Sequence, residues 1–190
     1  MTQGEAIGVL RIILIGIALS ADAMSVTICN LVANPSLPRR RAMLMPLLFG
    51  LFQGLMPTLG FFTGSLAAEF IETYAGIIAF VILGFVGTKM VWDGLHPDPE
   101  GASPGADRIG VASILLQALA TSIDAFAVGV TFAATGEPIF FAAAIIALCT
   151  FLLCLCMVAV GRKLGERFGA YAQVVGGVVL IVVGLRALLF

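Results

Sequence analysis

The chain has 190 residues, 61% of them hydrophobic and 11% charged, and its formal net charge is −1. Soluble domains carry about 25% charged residues, so this composition belongs in lipid; the near-zero charge gives no basis for a nucleic-acid or acidic partner. The four cysteines, Cys29, Cys149, Cys154 and Cys156, lie in or beside apolar runs and read as small buried hydrophobes, not as a disulfide framework.

Six apolar runs of about 20 residues follow one another, each long enough to cross a hydrocarbon core of about 30 Å as a helix. They cover 6–28, 43–64, 74–95, 110–132, 138–160 and 171–190. The first has no basic flank and holds Asp22 in its middle, so it is expected to be a span and not a cleaved signal. The second contains Gln53 and the helix-breaking Pro57 within F-G-L-F-Q-G-L-M-P-T-L-G. After the third comes the longest connection, 96–108, rich in Pro, Gly and acid and holding the only histidine, His96. The fourth span carries Asp124, the fifth Thr150. The sixth closes the chain and leaves no length for a soluble domain.

Seven Lys or Arg residues lie in the odd connections (Arg39, Arg40, Arg41, Arg108, Arg162, Lys163 and Arg167), against none in the even ones. The positive-inside rule therefore predicts odd connections in the cytoplasm and both termini outside.

Ala18–Ile28, A-L-S-A-D-A-M-S-V-T-I, matches Ala120–Val130, A-T-S-I-D-A-F-A-V-G-V, at an offset of 102 residues. Tyr74–Lys89 matches Tyr171–Arg186 at an offset of 97, and a longer first connection accounts for the difference. The expected fold is all-α and integral to the membrane, six transmembrane helices as two inverted three-helix repeats: 1–95, a cytoplasmic loop at 96–109, and 110–190. Three is odd, so the second unit enters from the opposite side. Transporters built this way hold their substrate near the midplane, between the units.

Asp22 and Asp124 are twins in that scheme and are expected to face one another. A carboxylate in a span costs roughly 2.5–3.5 kcal/mol on insertion scales and usually marks an ion or proton path. A divalent cation would cancel the pair, and protons would do so when the site is empty, which makes metal–proton exchange physically reasonable. Further oxygen is available from Ser25, one turn after Asp22, and Thr121, one turn before Asp124; both read equally as backbone-bonding hydroxyls. Gln53 and its twin Thr150 offer polar groups at similar depth, as ligands or as interhelical hydrogen bonds. Accessory candidates are Met56 (a thioether, or packing), Asp93 (a cation attractor, or an interfacial residue), and the twins Ser20 and Ser122, which lie off the Asp face. An oxygen-dominated set suits Mn²⁺, Mg²⁺ or Ca²⁺ better than Zn²⁺ or Cu⁺.

The motifs S-A-D-A-M-S-V, F-G-L-F-Q-G-L-M-P-T-L-G, L-A-T-S-I-D-A-F-A-V-G-V and G-G-V-V-L-I-V-V-G resemble the MntP-type manganese efflux pumps, small exporters of the bacterial inner membrane. The resemblance covers nearly the whole chain in order. It implies a non-enzymatic, cofactor-free exporter with Mn²⁺ as cargo and lipid as surroundings; it implies nothing about oligomeric state. The aspartates of spans one and four, here Asp22 and Asp124, would be essential. One departure is Met24, where an aromatic commonly follows D-A, as Phe126 does in the second copy. The family is in turn similar to the LysE-type exporters, so fold alone leaves other cargo open: Cd²⁺, Mg²⁺, Ca²⁺ or a small amino acid. An amino acid would need a basic partner at mid-depth, and the sequence shows none. A membrane thiol oxidoreductase would need cysteines at symmetric sites, but the twin of Cys29 is Thr131.

Overall fold

The computed structural model describes residues 3–34, 36–95, 109–135 and 138–189. Among them the secondary structure is all helix: α1 (Gln3–Ala33), α2 (Arg39–Leu95), α3 (Val111–Thr121), α4 (Ile123–Thr135) and α5 (Ile139–Leu189). Among the described residues, four stretches are long and apolar enough to cross a membrane: Gly8–Ala33, Arg39–Gly64, Val111–Ala133 and Ile139–Lys163. The protein is a multi-pass helical membrane protein.

Three boundaries differ from the expectation. The first two concern the connections before spans three and six, which are helical instead of looped: α2 runs on past residue 64, and residues 161–170 are helical within α5. Neither segment, S-L-A-A-E-F-I-E-T nor R-K-L-G-E-R-F-G-A, contains proline, and both are rich in Leu, Ala, Glu, Lys and Arg, which favour helix. In α2 the interruption is a single residue, Gly64, at φ 54° and ψ −145°, a conformation essentially reserved for glycine.

The third difference lies in span four, which is two helices. α3 ends at Thr121, Ser122 adopts φ −110° and ψ 3°, and α4 begins at Ile123. Four poor helix formers in a row, Thr121-Ser122-Ile123-Asp124, weaken the helix there. The Ser122 N–H and hydroxyl then both donate to the Leu119 carbonyl, at 3.2 and 3.0 Å, which tightens the last turn and ends it.

Packing relies on small residues, as expected where the solvent is as apolar as the side chains. A Cβ on Gly50 would lie 3.0 Å from the Phe151 Cβ, and one on Gly54 would lie 3.0 Å from the Ala147 Cβ, so span two and span five are in close contact. Span two meets α4 closer still: a Cβ on Gly129 would collide with the Pro57 carbonyl oxygen.

Two apolar clusters result. The larger includes Ala23, Val26, Ala42, Met45, Phe49, Ile114 and Ala118, together with Leu83 and Leu180 from the later parts of α2 and α5. The smaller includes Ile12, Ala125, Phe132, Ile139, Ala142 and Ile146, with Ile15 and Val128 packed on it. The α1–α2 connection is tied to α5 by Arg162, whose Nη2 donates to the Leu37 carbonyl at 2.8 Å.

Candidate functional site

Span two crosses between the two aspartate-bearing spans, and Gln53 is the residue that joins them. Its side chain is fully buried, and its Nε2 donates to the main-chain carbonyls of Leu19, at 3.0 Å, and of Thr121, at 3.1 Å. Leu19 precedes Asp22 by three residues and Thr121 precedes Asp124 by three, so one carboxamide grips both spans one turn ahead of their carboxylates. Its Oε1 is buried without a hydrogen-bond partner. An orphaned buried carbonyl oxygen costs about 1–3 kcal/mol and is the kind of group a cation or water satisfies. Pro57, four residues on, has no N–H to return to the Gln53 main-chain carbonyl, which frees a second oxygen at the same residue.

The carboxylates differ in setting. Asp22 lies mid-way along α1 and is half-buried. Asp124 opens the first turn of α4, with Oδ1 accepting the Ala125 N–H at 2.8 Å. It is exposed by area yet packed around by protein, as a group lining a crevice is. The two charges act on one another across the gap. The Arg186 guanidinium acts on Asp22 as well, supplying a basic neighbour that the span-by-span reading did not expect.

The remaining candidates sort clearly. Thr150 and Ser20, both fully buried, share a hydrogen bond of 2.8 Å between span five and α1, and Ser20 also donates to the Gly16 carbonyl. The hydroxyls of Ser25, Thr121 and Ser122 all donate to main-chain carbonyls, of Ala21, Gln117 and Leu119 respectively. Met56 packs on the smaller apolar cluster. Asp93 is in α2, but its side chain lies outside the described residues, as do His96 and the loop 96–108. Among the described residues no three His, Cys, Asp or Glu side chains converge, so any cation shell here must be completed by amide, hydroxyl or main-chain oxygen. All four cysteines are free thiols.

Sequence reasoning missed the main-chain carbonyls of Leu19 and Thr121, which carry no side-chain signal. It also missed a buried amide pair. Asn30 Nδ2 donates to Gln117 Oε1 at 2.7 Å, and Gln117 Nε2 donates back to Asn30 Oδ1 at 3.3 Å. The one sequence signal was Gln117 itself, a polar residue in an apolar run seven positions before Asp124.

Carboxylates and carboxamides set among apolar spans, two prolines inside one span and a break in another define a polytopic helical membrane protein. The family model described as "Putative manganese efflux pump" matches residues 36–188, and the chain belongs to that family. A Campylobacter hominis protein named "Putative manganese efflux pump MntP" is 38% identical, covering 95% of this chain and 97% of its own length. A Methanosphaera stadtmanae protein of the same name is 38% identical over 95% and 98%. One from Clostridium perfringens is 36% identical over 95% and 94%. No solved structure matches the chain.

Proposed function

We propose that this protein exports Mn²⁺ from the bacterial cytoplasm across the inner membrane, through a midplane seat formed by Asp22 and Asp124. The observation that carries this reading is the Gln53 carboxamide, which spans the Leu19 and Thr121 carbonyls and leaves Oε1 unpaired beside the two carboxylate-bearing turns. Two carboxylates balance the charge of a divalent ion, and the Gln53 oxygens add neutral donors of the hard type Mn²⁺ accepts. Thr121 and Ser25, one turn from the carboxylates, and Thr150, the twin of Gln53, are the further hydroxyl sources, with Met56, Asp93, Ser20 and Ser122 as accessory groups. Protons returning to the empty carboxylates would drive the cycle as an exchange.

The seat sits, in this reading, between two inverted three-helix units, 1–95 and 110–190, joined by a cytoplasmic loop at 96–109, with both termini periplasmic. Support comes from contacts that recur under the sequence offsets. Leu19 and Thr121, the two carbonyls Gln53 holds, are twins at 102. Gly50 against Phe151 and Gly54 against Ala147 are images of one another at 97. Leu83 and Leu180, twins at 97, are both buried in one cluster. Members of the two apolar clusters pair off likewise: Ile12 with Ile114, Ala125 with Ala23, Ile146 with Phe49. The basic residues of the first and fifth connections support the orientation.

Anomalous scattering from crystals soaked in Mn²⁺ tests the seat directly. One peak within ligand distance of both carboxylates is expected. A peak remote from either, or none at concentrations that saturate transport, would overturn the reading.

A further inference from the structure

The buried amide pair stands at a position whose counterpart is apolar, and the geometry points to it as the cytoplasmic latch of the transport cycle. This inference rests on the inverted-repeat reading above. Asn30 and Gln117 are both fully buried, and they join span one to α3 by two reciprocal hydrogen bonds, with the Met45 sulfur 4.0 Å from Asn30 Nδ2. Under the offset of 102, Asn30 maps to Phe132 and Gln117 to Ile15. Phe132 is buried, and Ile15 packs on the cluster that buries it.

Each pair lies seven or eight residues from its aspartates, about 10–12 Å along the helix axis. Asn30–Gln117 is on the side of the arginine-rich connections; Ile15 and Phe132 are on the other. The seat is thus closed by direct hydrogen bonds towards the cytoplasm and by apolar packing towards the outside.

The chemistry of the two closures differs in what opening costs. Separated carboxamides regain hydrogen bonds from the water that enters, so the net loss is small. Parting Ile15 and Phe132 from the apolar cluster they share exposes surface that water does not compensate. The amide latch therefore opens readily to load from the cytoplasm, while the outer closure stays shut until the seat is filled. A carboxamide pair is also uncharged, so it neither traps nor repels a passing cation as an ionic latch would.

Cys29 reports on this latch. It is 4% exposed and lies seven residues past Asp22, on the same helix face and between the seat and the cytoplasm. In full-length protein carrying Cys149→Ala, Cys154→Ala and Cys156→Ala, it is the single thiol. Alkylation by a membrane-impermeant maleimide is followed in inside-out and right-side-out vesicles without Mn²⁺. Asn30→Ala with Gln117→Ala should speed labelling from the cytoplasmic face about tenfold, leaving labelling from the outer face unchanged. Each single substitution should produce nearly the whole effect, because both break the same interaction.

Equal labelling with and without the pair, or acceleration only from outside, would overturn the latch. If the double-alanine protein does not reach the membrane, Asn30→Phe with Gln117→Ile, which copies the outer pair, decides: labelling from the cytoplasmic face slower than in the parent supports the latch, and labelling as fast as the parent or faster overturns it. The readout uses no cargo, so a failed latch leaves the Mn²⁺ seat standing. A failed seat shows instead as export surviving the loss of Asp22.

Discussion

Ser20 and Ser122 each stand two residues before an aspartate, yet α1 runs through the first and the span-four helix stops at the second. The hydroxyls explain part of the difference. Ser20 donates four residues back, to Gly16, which a helix accommodates; Ser122 donates three residues back, to Leu119, which tightens the turn and ends it. The consequence reaches the carboxylates. Asp124 begins a helix, where free N–H groups and the dipole favour negative charge, and it takes the Ala125 N–H. Asp22 is mid-helix, with no free N–H to take, and has the Arg186 charge as its neighbour instead. One motif, used twice, thus meets its buried charge by two different means.

The sharpest way to break this comparison is to neutralise each carboxylate in turn. Asp22→Asn and Asp124→Asn should each cut Mn²⁺ uptake into inside-out vesicles by more than about 100-fold, with the protein still inserted. Substantial export by either variant would make the twins unequal in function as well as in setting. Next in size is Gly129→Ala on the broken span. Its new methyl meets the Pro57 carbonyl, and overpacking of this kind costs about 1–3 kcal/mol or more, seen as a lowered melting temperature in detergent. The same change at Gly8, where nothing lies within 4 Å, should be neutral.

Gln53→Leu removes the donors that hold both spans and the unpaired oxygen, and should slow transport about tenfold at saturating Mn²⁺. Thr150→Val is the mildest. It removes one interhelical hydrogen bond, worth about 0.6 kcal/mol in a membrane protein, and should alter transport less than twofold.

The spans were legible because lipid demands long apolar helices, and hydropathy records that demand directly. The twinned aspartates were legible because a charge in such a run stands out. What escaped were features set by geometry between spans. The poor helix formers in L-A-T-S-I-D weaken the helix, but that it ends at Thr121 while A-L-S-A-D continues turns on which carbonyl a hydroxyl reaches. Gln53 was visible as a polar residue, but its two partners are main-chain oxygens, which every residue has. Asn30 and Gln117 gain meaning only when opposed, 87 residues apart in sequence.

Gly64 has a bearing on how the chain fits a bilayer. A 57-residue helix such as α2 would extend about 85 Å, nearly three bilayer cores. Any other residue at 64 would pay for that backbone angle, and the rod would be favoured over the bend. One glycine therefore divides a length no bilayer could hold into two helices of membrane scale.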